Sequence, residues 1–156
     1  MTNIVVLNED DGDKLRISCN KRTKKASIKT MPYPGFPTDM QPQTSLLLTL
    51  GDSTGTIIET IWESRFQYTD ELNKMGADIS AHGSTAVFKG VDKLYGAPVK
   101  AHDLRAGAAM IIAGLVAEGE TEISDIHHIQ RGYENIIDKF AKLGAKIDYV
   151  KTEDEE

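Results

Sequence analysis

Residues 30–43, TMPYPGFPTDMQPQ, gather four of the chain's five prolines around a single acid, Asp39. Proline fixes φ and disfavours helix in the residue before it, so an extended segment is expected to deliver Asp39 rigidly to the start of a helix. A carboxylate held that way is suited to chemistry. The competing reading is a stiff surface turn on which Asp39 serves as the helix N-cap, and the two roles are compatible.

Other residues with chemical potential carry less. Lys21, Arg22, Lys24 and Lys25, preceded by Lys14 and Arg16, could touch phosphates. Without interleaved aromatics the run reads as a solvated turn, and no nucleic-acid partner is expected. Cys19 is the only cysteine; it excludes an intramolecular disulfide, fits a reducing compartment and reads as a structural thiol. Residues 9–13, EDDGD, read as a hairpin turn, since the closing glutamate and flanking helices of an EF-hand do not follow. His127 and His128 would face opposite sides of a strand, while His82 and His102 lack ligand spacing, so no metal is expected.

Asp39 has to be positioned by the elements around it. Residues 4–7 and 15–18 read as a hairpin, residues 26–29 as a short strand, and Asp39 as the start of a helix to about Leu50, with Pro42 tolerated in its first turn. After Gly55 the β-branched run TIIETI reads as a buried strand, followed by a turn carrying Glu63, Ser64 and Arg65. A helix over residues 68–75 stops at Gly76, and a hairpin folds about Gly83. Residues 99–101 extend again, and Asp103 opens a helix of small residues ending at Gly119. A strand over 120–126, a helix over 133–143 and a last strand over 146–150 complete the reading.

The two halves repeat. Residues 39–55 align without a gap on residues 103–119 at an offset of 64, Arg65 on Arg131 at 66, and ELNKMGADI on KFAKLGAKI at 68. Each unit reads strand, helix, strand, helix, then strands, and the opening hairpin resembles the end of such a unit. The expected organisation is the end of an incomplete unit over 1–29, a unit over 30–98, a unit lacking its last strand over 99–150 and an acidic tail over 151–156, all in one partial domain. Incomplete units leave sheet edges unpaired, so the chain is expected to be cut from something larger and to self-associate through those edges. Repetition alone explains an Asp at each helix start and an Arg beyond each following strand.

Composition sets the class. With 40% hydrophobic and 27% charged residues the chain is an ordinary globular α/β candidate, and aromatics at only 6% favour aliphatic packing. Half of the net charge of −6 sits in the last six residues, a solvated terminus. No apolar stretch is long enough to span a bilayer and no targeting pattern opens the chain, so a cytoplasmic protein without a membrane partner is expected.

PYPGFPTDMQ at 32–41 resembles the UDP-N-acetylglucosamine 1-carboxyvinyltransferase family of enolpyruvyl transferases. ETIWESRF at 59–66, DLRAGAA at 103–109, RGYENI at 131–136 and KLGA at 142–145 resemble that family's C-terminal motifs in the same order. The resemblance covers nearly everything from Thr30 onward. It implies part of an inside-out α/β barrel, an α/β (α+β) fold of repeated βαβαββ units, whose active site lies between two domains. It also implies transfer of enolpyruvyl from phosphoenolpyruvate to the 3′-hydroxyl of UDP-N-acetylglucosamine in peptidoglycan synthesis, with no cofactor.

On this resemblance Asp39 matches the carboxylate that accepts the hydroxyl proton or orients the hydroxyl, Ile61 contributes through its backbone near the sugar nucleotide, and Thr38 assists. Arg65, Arg105 and Arg131 match residues gathered around phosphoenolpyruvate, whose anionic groups call for planar, permanently charged donors; the bland alternative for each is a surface ion pair. Asp103 caps its helix or orients Arg105. The family's mobile loop, with its cysteine or aspartate, and its phosphoenolpyruvate-binding lysine have no match here, so the chain is expected to need the N-terminal portion and second domain of such an enzyme and to be inactive alone. The shikimate-pathway enolpyruvyl transferase and a non-catalytic binding or regulatory module are the alternatives.

Overall fold

The chain opens, in a computed structural model that describes residues 2–7, 14–19 and 21–150, with an antiparallel hairpin of β1 (Thr2–Leu7) and β2 (Lys14–Cys19). The EDDGD turn and the acidic tail lie outside the described residues, as does the side chain of Cys19. Next, β3 (Ser27–Lys29) pairs in parallel with β4 (Gly55–Ile58), Ile28 opposite Ile57. Parallel strands need a crossover, and here it is α1 (Gln41–Thr49), entered through a single 3₁₀ turn at Thr38–Met40. Pro42 stands in the first turn of α1, where a missing N–H costs nothing.

α1 is an unusually polar buried helix. The Ser45 and Thr49 hydroxyls donate back to the carbonyls of Gln41 and Ser45 at 3.0 and 2.9 Å, which satisfies them inside the core. After β4 the chain turns through Ser64 at φ 55 into α2 (Tyr68–Lys74), which ends at Gly76 in the left-handed region. β5 (Asp78–His82) and β6 (Thr85–Lys89) then complete a sheet of order β3-β4-β6-β5. Ile57, Ile79, Ala86 and Phe88 of this sheet pack with Tyr68, Leu72 and Met75 in the main core. That core is mostly aliphatic, with Tyr68 and Phe88 as its largest fully buried side chains.

The second half repeats the first crossover. β7 (Pro98–Lys100) pairs in parallel with β8 (Glu122–Ser124), joined by α3 (Leu104–Val116). Asp103 caps α3 by accepting from the amides of Arg105 and Ala106, both at 2.8 Å. α3 packs against α1, and most of its buried residues are Ala and Gly. Gly107 is needed where α3 meets the following short helix, α4 (His127–Gln130), because a Cβ would stand 2.5 Å from the Ile129 side chain. α5 (Ile136–Lys142) closes a smaller core around Ile111 and Ile129.

Several sequence expectations are corrected. Asp39 does not cap α1: the cap position is Met40, with no side-chain cap bond, and Asp39 sits one residue earlier inside the 3₁₀ turn. A cap needs extended backbone, which the prolines deliver at Pro37, two residues too soon. The 120–126 strand shortens to Glu122–Ser124, and Asp125 at φ 58 turns the chain into α4, so His127 and His128 sit side by side on a helix with rings 4.0 Å apart. The helix expected from residue 133 begins at Ile136 because Asn135 adopts φ 47, a left-handed conformation that blocks continuation. Residues 146–150 form no strand, and none of the sheets among the described residues includes them.

The basic run is not simply solvated either. Arg22 donates to the carbonyls of Leu50, Gly51 and Val91 and to the Asp92 carboxylate, so one guanidinium ties the end of α1 to the loop after β6. Among the described residues, no helix is long and apolar enough to cross a membrane.

Candidate active site

Packing α3 on α1 brings their N-terminal ends together, and with them Asp39 and Arg105. Arg105 Nη2 donates to Asp39 Oδ2 at 2.9 Å, although the two lie on different halves of the chain. Arg65, in the turn between β4 and α2, approaches the other carboxylate oxygen at 3.6 Å. Exposure separates their roles: the Asp39 side chain is 56% exposed and Arg105 36%, whereas Arg65 is 16% exposed. The Arg65 Nε is buried without a partner among the described residues, an unused donor beside an open carboxylate.

Arg105 is held from its other side. Its Nη1 donates to the Tyr133 hydroxyl at 3.2 Å, and this bond, with the one to Asp39, pushes the guanidinium pKa above its ordinary value. Gln43 Nε2 reaches the Arg105 carbonyl at 3.5 Å, and its Oε1 is buried without a partner among the described residues. Tyr133 stands two residues beyond Arg131. Arg131 itself is exposed and lines an open cleft of about 480 Å³ with Gln130, Gly132, Tyr133, Glu134, Asn135 and Tyr149. No hydrogen bond or ion pair among the described residues joins Arg131 to Asp39, Arg65 or Arg105.

Thr38 and Ile61 meet through a residue that sequence reading did not single out. Glu59, only 2% exposed, accepts from the Thr30 hydroxyl at 2.7 Å and the Ile61 amide at 2.8 Å on one oxygen, with the Trp62 amide at 3.2 Å. Its other oxygen accepts from the Thr38 hydroxyl at 2.8 Å. Burial pushes the carboxyl pKa up, but these four donors outweigh burial and hold it below the ordinary glutamate value. The signal was present in the sequence: strand alternation that buries Gly55 and Ile57 also buries Glu59. With its N–H taken, Ile61 retains its carbonyl, which accepts no hydrogen bond among the described residues, at an exposed turn.

The constellation can therefore orient or deprotonate a hydroxyl at Asp39 and bind an anion through Arg65 and Arg105. Among the described residues no three His, Cys, Asp or Glu side chains converge as a metal site would require.

The family described as EPSP synthase (3-phosphoshikimate 1-carboxyvinyltransferase) matches residues 2–140. The chain is 51% identical over 142 residues to the UDP-N-acetylglucosamine 1-carboxyvinyltransferase of Thermotoga petrophila, covering 91% of this chain and 34% of that protein. The protein of the same name from Clostridium botulinum is 56% identical over 138 residues, covering 88% and 33%. Among solved structures, the enolpyruvyl transferase NikO from Streptomyces tendae superposes with a TM-score of 0.86 at 26% identity, over 97% of this chain and 34% of that one. An EPSP synthase from Acinetobacter baumannii, at a TM-score of 0.54 and 18% identity over 85% of this chain and 33% of that one, shares the fold. The chain spans about a third of the length of the curated relatives it matches.

Proposed function

The chain belongs to the EPSP synthase family, and we propose that it supplies one wall of an enolpyruvyl transfer site that takes UDP-N-acetylglucosamine and phosphoenolpyruvate. The observation that carries this reading is the contact of Asp39 with Arg105 and Arg65, on the very motifs that resemble the sugar-nucleotide enzymes. Relatives at 51% and 56% identity bear the sugar-nucleotide name, while the solved EPSP synthases, at 18% and 16%, share only a fold, so the shikimate substrate is the weaker reading.

On this reading the sugar 3′-hydroxyl attacks C2 of phosphoenolpyruvate. A C–O bond forms, the hydroxyl proton passes toward Asp39, and C3 gains a proton. Loss of that C3 proton with cleavage of the C–O bond to phosphate restores the enol ether. In the absence of substrate, the Asp39 carboxylate is occupied by the guanidinium groups of Arg105 and Arg65. Binding of the anionic substrate draws Arg105 and Arg65 toward its phosphate and carboxylate and frees Asp39 for the hydroxyl. Arg131 joins them from the Tyr133 loop, and Thr38 with the Ile61 carbonyl orients the sugar nucleotide. Turnover requires the further segments that the relatives possess, including the second wall of the cleft. The step belongs to peptidoglycan synthesis in the cytoplasm.

The test is a nuclear magnetic resonance titration of the ¹⁵N-labelled chain with UDP-N-acetylglucosamine, then phosphoenolpyruvate. The sugar nucleotide should move the amides of Thr38, Asp39 and Ile61, and phosphoenolpyruvate the guanidinium signals of Arg65 and Arg105. No response to either ligand overturns the reading.

A further inference from the structure

Glu59 is a buried carboxylate with no arginine, lysine or histidine paired to it among the described residues, balanced by hydrogen-bond donors alone. Burying such a group is unfavourable unless its lone pairs are filled, and an apolar side chain at the end of β4 would avoid the penalty entirely. What an apolar side chain cannot do is fix several donors at once. The donors to Glu59 come from three separate stretches: Thr30 just after β3, Thr38 just before α1, and Ile61 and Trp62 just after β4. Thr30 is itself locked, since its hydroxyl also accepts from the Thr60 amide at 2.8 Å.

The two carboxylate oxygens divide the work. Oε1 takes Thr30 and the turn that presents Ile61, and Oε2 takes Thr38, the neighbour of Asp39. At 2% exposure, with both oxygens engaged, Glu59 cannot itself take a proton from a substrate.

The geometry points to Glu59 as a positioning residue, which ties the turn carrying Asp39 to the turn carrying Ile61 so that both face one sugar nucleotide; the ligand in this statement rests on the proposed function. The tie also explains a feature of the exposed rim. Both amides of the Ile61–Trp62 turn are drawn inward, so the rim offers a ligand an acceptor and apolar side chains.

The test compares spectra of the ¹⁵N-labelled chain at pH 7 with those of Glu59→Gln, Thr38→Val and Thr38→Ser, and adds UDP-N-acetylglucosamine to each. Glu59→Gln should shift the Ile61 and Trp62 amides together with the Arg105 and Arg65 Nε–H signals. Thr38→Val, which cuts only the Asp39 side of the tie, should reproduce the arginine shifts while the Trp62 amide stays in place, and Thr38→Ser should restore the original spectrum. Affinity for UDP-N-acetylglucosamine should fall about tenfold or more in Glu59→Gln and Thr38→Val, as for other residues that orient a ligand-binding group. Arginine signals unmoved in both variants overturn the proposal. Arginine shifts in a chain that ignores UDP-N-acetylglucosamine instead overturn the assigned ligand and leave the tie standing. If Glu59→Gln fails to fold, the Thr38→Val and Thr38→Ser pair decides alone.

Discussion

Arg105 Nη2 and Asp39 Oδ2 meet at 2.9 Å across 66 residues of sequence, joining the 3₁₀ turn that leads into α1 to the first turn of α3. The two halves build these helix starts differently. Asp103 turns inward and caps α3, whereas Asp39, carried one residue short of the cap position, turns outward to the guanidinium groups. The prolines make the difference, since they spend the extended backbone at Pro37 and let a 3₁₀ turn intervene before α1. A scaffold position that is structural in one half becomes available for chemistry in the other.

Replacing Asp39 with Asn should therefore leave the fold intact and weaken ligand binding. The carboxylate is more than half exposed, and exposed ion pairs contribute roughly 0–1 kcal/mol, so the unfolding midpoint should barely move. A lost hydrogen bond to a charged group is worth about 1.5–3 kcal/mol, so affinity for UDP-N-acetylglucosamine should fall roughly ten- to hundredfold. Titration calorimetry showing unchanged affinity would remove Asp39 from the site.

Acid should weaken the fold through Glu71. This buried carboxylate accepts from Lys74 at 2.8 and 3.0 Å, from the Lys100 amide at 3.0 Å and lies 3.2 Å from His102 Nε2, linking α2 to β7. Burial raises its pKa, and these partners more than reverse the effect, leaving it below the ordinary value of 4.5. A depressed folded pKa contributes stability above the unfolded pKa that is lost as pH falls through the folded one. The urea midpoint should drop on acidification below about pH 4.5, and Glu71→Gln should flatten that limb while lowering the neutral-pH midpoint. An unchanged acid limb in the variant would assign the loss elsewhere.

Much of the architecture was legible because it rests on local chemistry. The glycine stop at Gly76 and the Asp103 cap each follow from a single residue, and the β-branched run after Gly55 does form a strand, although it ends at Ile58 rather than running through Ile61. What escaped depends on long-range contacts. Arg22 looked like part of a solvated run because nothing local reveals that three carbonyls from two distant segments converge on it. Glu59 passes unremarked inside the TIIETI run, although strand alternation hints at its burial. The meeting of Asp39 with Arg105 followed from the repeat only once α1 and α3 were seen to pack; the exposed Arg131, with no described hydrogen bond or ion pair to them, shows that shared motifs do not by themselves pair residues.

The buried polar cluster on α1 should prove structural. Tyr68, 1% exposed, donates to Gln41 Oε1 at 2.8 Å, and its hydroxyl oxygen lies 2.5 Å from that of Ser45. Tyr68→Phe keeps the ring but strands Gln41 Oε1 in the core, which costs about 1–3 kcal/mol. Denaturant unfolding should report that loss, with little change in the chain's response to UDP-N-acetylglucosamine. A variant as stable as the parent would show that Gln41 Oε1 finds another donor.

Gly107 tests how the site depends on helix spacing. A Cβ on Gly107 would stand 2.5 Å from Ile129 Cγ1, a contact that cannot exist without moving α4 or the isoleucine. α4 leads directly to Arg131 and to Tyr133, the residue that braces Arg105. Gly107→Ala should therefore cost about 1–3 kcal/mol by overpacking, although alanine is the better helix former. It should also shift the Arg105 guanidinium signal by displacing the Tyr133 hydroxyl. Ile129→Ala removes the clashing atoms, so the double variant should be more stable than the sum of the two single losses, by an interaction term above 0.5 kcal/mol. Strict additivity in that cycle would mean that α3 and α4 are not held at contact distance, and that the bracing of Arg105 does not run through Gly107.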